Sequence, residues 1–332
     1  MTLSVLFDPA VLPNPYPVYA QLRAEDPVHW DDFFQLWALT RYADIAALLR
    51  DPRISSKRIT NDGRQLWDAE RLPEDARPAA RATYRAFAHL VLMYDPPEHT
   101  RFRSMISRAF TPRMIEGMRP FIQSTVDELI DAVEAQGRMD LIADLAYPLP
   151  AIVIAEMLGV PHDDHEQFKA WSADFATSFD VDPSRPEREA QAVKGVAALL
   201  DYVAELVERR RTERHDDLVQ AHVDLCGGDE ESVFEVVANL AGLLFAGHET
   251  TTNLLGNGLF ALLRHPEQWQ RLRDEPELLG SAVEECLRYD APVQWIARRA
   301  AQDLEIGGKA IRQGQLLGFF VFMGRNDPVA AP

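Results

Sequence analysis

The chain has 332 residues, 47% of them hydrophobic, enough for a large globular core in one domain or two. Its 34 basic and 52 acidic side chains leave a net charge of -18, which argues against nucleic acid as a partner and for a cytoplasmic protein. Two cysteines, Cys226 and Cys286, give no disulfide framework, and no apolar run reaches the length of a membrane span.

The first residues carry no basic region and meet Asp8 and Pro9 before any long apolar run, so they read as neither signal peptide nor anchor. Residues 15–24 predict a short helix, 27–40 a hairpin around Asp31-Asp32, and 41–50 a second helix closed by Asp51-Pro52. Residues 52–80 have weak periodicity and read as irregular, and 84–93 as a short helix or loop. Asp95-Pro96-Pro97-Glu98 predicts a helix start with an Asp cap, and Thr111-Pro112 opens another helix running to about residue 133. Helical patterns follow at 143–158, 165–178 and 187–214.

Residues 232–263 organise the chain. Ser232 and Glu235 have capping-box spacing, and Val236, Val237, Leu240, Leu243, Leu244 and Phe245 cover nearly every face of the helix that follows. The pattern continues through Leu254, Leu255, Leu259, Phe260 and Leu263 to the stop at His265-Pro266. At 1.5 Å per residue such a helix is roughly 45 Å long. Gly247, His248, Glu249 and Thr250 sit at its centre, where glycine weakens a helix and a buried glutamate needs a partner. Local rules broken in mid-core point to chemistry there. Helices at 266–274 and 276–289 come next, then strands at 295–299 and 316–322 with a turn at Gly307-Gly308 between them. The fold class is mainly α with a small β-sheet made from the N-terminal hairpin and the C-terminal strands.

His248-Glu249 has the start of a zinc-helix motif, but the fifth position is Thr252, so the second imidazole is missing. His162 and His165 read as a solvated helix start, and no P-loop, G-x-S-x-G or G-x-G-x-x-G is present. Glu285 and Arg288 are one helical turn apart, a spacing that usually makes a surface ion pair. His99 and Arg103 share a helix face, and with Arg298 they suit carboxylate groups.

Taken in order, H-x-x-x-R at His99 and Arg103, LLFAGHETTTN, E-x-x-R at Glu285 and Arg288, and Arg298 resemble the cytochrome P450 family, soluble bacterial type. NPYPVYAQLR, YDPPEHTRFR, EECLRYDAPVQ and the C-terminal GRNDP agree, and the resemblance spans essentially all of residues 1–332 as a single domain. It implies haem b, with His99, Arg103 and Arg298 on the propionates and Ala246 and Gly247 as small residues over the porphyrin. It implies a catalytic acid–alcohol pair, Glu249 and Thr250, in which Thr250 bonds back to the Ala246 carbonyl and relays protons supplied by Glu249. Glu285 and Arg288 would be a structural pair, and Leu243, Ala246, Val293 and Ile296 would line the substrate pocket. Lid segments are expected at 80–94 and 170–190. The implied activity is a monooxygenase using dioxygen, hydroxylating or epoxidising a small hydrophobic substrate, with electrons from a ferredoxin and an NAD(P)H-dependent reductase. Arg101, Arg108 and Arg113 form a basic patch that suits an acidic ferredoxin, or are scattered surface arginines.

The family's axial ligand is a Cys thiolate in a loop far downstream of E-x-x-R. Cys286 lies inside the E-x-x-R helix and Cys226 before the central helix, so neither matches that position. The sequence therefore reads as a P450 cut short after GRNDP, with no metal ligand of its own. The alternative reading is a non-catalytic P450-like scaffold or partner protein.

Overall fold

The computed structural model describes residues 2–58, 68–179, 185–215, 217–224, 226 and 228–320. The GRNDP motif lies outside them. The chain forms two compact units, one of residues 1–58 with 257–332 and one of residues 59–256.

The first unit opens with helix α1 (Tyr16–Glu25), the hairpin β1 (Val28–Asp31) and β2 (Leu36–Leu39), α2 (Tyr42–Leu48) and β3 (Ile54–Ser55). The hairpin turns at Gln35, whose φ is +53°, and is braced by the buried Asp31 carboxylate, which accepts from the backbone N–H of Leu3 at 2.6 Å and of Phe34 at 2.8 Å.

The second unit is helical: α3 (Arg77–Ala88), α4 (Glu98–Ala109), α5 (Pro112–Glu134), α6 (Pro148–Met157), α7 (His165–Phe179), α8 (Pro186–Thr212), α9 (Leu218–Val223) and most of α10 (Glu230–Arg264). At 35 residues α10 is the longest described helix, and its buried Val236, Val237, Leu240, Ala241 and Leu244 sit in one core with the apolar stripe of α8. The start differs from the capping-box reading. Asp229, not Ser232, takes the orphan donors, its carboxylate accepting from Ser232 N at 3.0 Å and Ser232 Oγ at 2.6 Å. Past residue 256 the chain returns to the first unit with α11 (Pro266–Asp274), α12 (Leu279–Tyr289), β4 (Ile296–Ala300), β5 (Leu304–Ile306), β6 (Lys309–Ile311) and β7 (Leu316–Phe319). The sheet order β1-β2-β7-β4-β3 joins the N-terminal hairpin to the C-terminal strands, with β2 and β7 parallel. Leu39, Ile45, Ile311, Leu317 and Phe319 form the core beneath it.

Three further sequence expectations need correction. α3 begins at Arg77, inside the stretch read as irregular, with Pro78 in its first turn. Helix α4 has Pro97 at its cap position with no side-chain cap bond, and the Asp95 carbonyl accepts from His99 N at 2.9 Å just before it. The single helix expected at 143–158 is a π-helical turn at Leu141–Ala146 followed by α6, because the Asp140 carboxylate holds the N–H of Ile142 and Ala143 at 3.0 Å and Pro148 and Pro150 lack N–H donors. His165 is buried, with Nε2 3.2 Å from the Val160 carbonyl, and only His162 is solvated. The short helix α9 and the β5–β6 hairpin around Gly307-Gly308 were not anticipated as elements.

Candidate active site

The unusual residues of α10 fall on consecutive turns of an unbroken helix. Thr250 Oγ1 donates to the Ala246 carbonyl at 2.7 Å, the back-bond expected from a mid-helix threonine. Ala246 is exposed, while Glu249, Thr250 and Leu243 are half-buried. Asn253 Nδ2 donates to Glu249 Oε1 at 3.2 Å and so orients the carboxylate from one turn further on. A Cβ placed on Gly247 would lie 3.3 Å from the Ile154 side chain, so the missing side chain is what lets α6 approach this turn. His248 is fully buried, with Nδ1 2.6 Å from Ser172 Oγ and Nε2 3.0 Å from the Tyr147 carbonyl oxygen.

In the same unit, α4 is seated by Phe102, Met105 and Ile106. It carries half-buried His99 and exposed Arg103 one turn apart. Arg101 from this helix is engaged with Glu235 at 2.7 Å.

The remaining expected residues belong to the first unit. Arg298 is half-buried on β4, where Nη1 donates to the Ala297 carbonyl at 2.8 Å. Beside it is Arg58, a residue the sequence gave no reason to single out. Burial, and then the Arg298 charge, press its guanidinium down to about 10. Two guanidinium groups so placed favour an anionic group near them. Glu285 and Arg288 form a bidentate ion pair, both bonds 2.6 Å, which holds the Glu285 carboxyl below its usual range. Glu285 stays 55% exposed, so this pair is not a buried one. Val293 and Ile296 are half-buried, Ile296 against the core of the sheet.

The adjacent guanidinium groups of Arg58 and Arg298 have the charge that suits a carboxylate such as those of a haem. The thiolate role does not fit either cysteine. Both are half-buried, and burial raises both thiols, which opposes thiolate formation. A Cβ on Gly258 would lie 3.1 Å from the Cys286 sulfur, so that sulfur faces α10.

A family model described as cytochrome P450 matches residues 72–329. The chain is 36% identical over 323 residues to the biotin biosynthesis cytochrome P450 of Bacillus subtilis, covering 96% of this chain and 77% of that protein. It is 40% identical over 317 residues to the vitamin D(3) 25-hydroxylase of Pseudonocardia autotrophica, covering 94% of this chain and 73% of that one. The solved structure of P450BioI with hexadec-9Z-enoic acid ligated acyl carrier protein matches with a TM-score of 0.85 and 34% identity, over 98% of this chain and 81% of that one. A helical unit built around a back-bonded threonine, a mixed sheet carrying a half-buried arginine, and these relatives lead to one conclusion: the chain belongs to the cytochrome P450 family of haem-dependent monooxygenases.

Proposed function

We propose that the protein is a haem-thiolate monooxygenase that places one atom of dioxygen on a small hydrophobic organic substrate by hydroxylation or epoxidation, with the second atom leaving as water. Two electrons come from NAD(P)H through a reductase and a ferredoxin, and two protons come from solvent. The observation that carries this reading is the Thr250–Ala246 back-bond beside a half-buried Glu249. Haem b, when bound, supplies dioxygen activation. His99, Arg103 and Arg298 would hold its carboxylates, with Arg58 adding to the positive field at Arg298. Glu249 takes up a proton from solvent and passes it on, and the Thr250 hydroxyl, fixed by its bond to Ala246, relays it. Asn253 keeps the Glu249 carboxylate oriented between turnovers. Leu243 and Ala246 of the helical unit, and Val293 and Ile296 of the other unit, are the residues that would meet the substrate in this reading. The apolar compounds in the relatives' names, vitamin D(3) and hexadec-9Z-enoic acid, support an apolar substrate class. Exposed Arg108 and Arg113 would receive the acidic ferredoxin, since Arg101 is already paired. Residues 1–332 are read as one P450-like domain. The alternative, a non-catalytic P450-like scaffold or partner protein, draws on the two half-buried cysteines, whose thiols burial pushes up.

The test uses Thr250→Ala in a chain that carries residues 1–332 together with a cysteine ligand loop and is loaded with haem. Haem and substrate binding should persist while product formed per NAD(P)H consumed falls several-fold, the lost equivalents appearing as peroxide or water. Unchanged coupling would count against the relay.

A further inference from the structure

Along α10 each residue turns about 100°, so His248 projects from the side of the helix opposite Ala246 and Thr250. There its imidazole, 0% exposed, meets two different elements of the same unit. Nε2 is 3.0 Å from the carbonyl oxygen of Tyr147, the residue before α6, and Nδ1 is 2.6 Å from Ser172 Oγ on α7. A carbonyl cannot donate, so Nε2 carries the hydrogen and donates to Tyr147. Nδ1 is then a lone pair, and the Ser172 hydroxyl donates to it. One neutral tautomer satisfies both bonds. The Tyr147 ring packs edge-on against the imidazole at 4.6 Å.

We infer that His248 is a positioning residue, a bolt that fixes the rotation of the 246–250 turn and ties it to α7. Rotation of α10 about its own axis breaks both bonds together, because they run to separate elements. A leucine could fill the space but would take both bonds from the buried Ser172 hydroxyl and the Tyr147 carbonyl, so volume alone does not account for an imidazole bonded at both nitrogens. Tight local packing agrees: Gly247 brings α6 close, with a Cβ there 3.3 Å from Ile154. A shift of α7 is therefore felt at the turn that carries Glu249 and Thr250. The catalytic meaning of this bolt rests on the proton relay proposed above, but the bolt itself can be tested without it.

The experiment is hydrogen exchange at single-amide resolution on the purified protein and on Ser172→Ala, His248→Leu and His248→Gln. Gln offers an N–H donor and a carbonyl acceptor and can restore both bonds. Amides of 248–254 are expected to exchange about tenfold faster or more in Ser172→Ala and His248→Leu, while those of 236–240 stay unchanged. His248→Gln should return most of the protection. Unchanged exchange at 248–254 in Ser172→Ala, an equal rise along all of α10, or a Gln variant no better than Leu would overturn the inference. If His248→Leu does not fold, Ser172→Ala and the ¹⁵N spectrum of wild-type histidines decide. The spectrum should show His248 as the neutral Nε2–H tautomer at neutral pH, and an Nδ1–H or doubly protonated ring overturns the assignment. Failure of the relay reading would appear as unchanged coupling in Thr250→Ala and would leave the exchange result standing.

Discussion

His222 and His248 are fully buried, and burial pushes both imidazoles below the ordinary histidine value. The unfolded chain takes up protons on them as pH falls through about 6.5, whereas the folded chain does not until lower pH. Their contribution to stability is therefore full above that value and is lost as pH falls below it, at a limiting slope of about 1.4 kcal/mol per pH unit for each ring. His222 Nδ1 lies 2.7 Å from the Leu218 carbonyl and so donates to it, which sets the Nδ1–H tautomer of the neutral ring; the bond by itself favours protonation, and burial outweighs it. His222→Leu should flatten the decline in denaturant midpoint between neutral and mildly acid pH. An identical decline in the variant would refute the assignment. Single residues also show what the sequence could tell. The Thr250 back-bond was legible because its acceptor is four residues away. Asn253 on Glu249 has the same local spacing, and the cue was overlooked. Ser172 and Tyr147 lie 76 and 101 residues from His248, and no local pattern points to them.

Helices with a local stop or cap were readable. Thr111 Oγ1 accepts from Met114 N at 3.2 Å as its sequence implied, and His265-Pro266 ends α10. Where several cues competed, tertiary context decided, as at Asp229 against Ser232 and at the π-helical turn before α6. Packing between elements was the illegible part. A Cβ on Gly195 of α8 would lie 2.8 Å from the Cβ of Asp174 on α7 and 1.8 Å from its Oδ2. The carboxylate can swing aside, but a Cβ–Cβ approach has no rotamer to relieve it. Gly195→Ala gains about 1 kcal/mol of helix propensity and meets an overpacking cost of about 1–3 kcal/mol. The cost should win, lowering stability by roughly 1 kcal/mol. Gly117 on α5 has nothing within 4 Å of its would-be Cβ, so Gly117→Ala should gain up to about 1 kcal/mol instead. Paired urea titrations test the signs, and equal signs would sink the packing argument.

At the scale of the whole molecule each unit carries its own core, one around the sheet and one around α8 and α10. Of the residues expected to bind haem carboxylates, His99 and Arg103 belong to the helical unit and Arg298 to the unit of the sheet, where the structure adds Arg58 beside it. Neither of the two cysteines has the environment of a metal-bound thiolate. Cys286 is built into α12 with its sulfur turned toward Gly258, and Cys226 packs against the core of the helical unit just before α10. Burial raises both thiols, the opposite of what an iron ligand needs. Purified residues 1–332 supplied with haem are therefore expected to capture it weakly, through the carboxylate-binding residues. They should not give the thiolate-type spectrum of the carbon-monoxide-bound ferrous form. Cys226→Ser and Cys286→Ser should leave whatever spectrum is seen unchanged. A thiolate spectrum abolished by one of these changes would identify that cysteine as the ligand and overturn the reading of its environment. Arg298→Ala with Arg58→Ala should reduce haem retention on a desalting column, because carboxylate binding is the contact these residues provide. Retention equal to that of the unaltered protein would show that the paired guanidinium groups do not hold the cofactor.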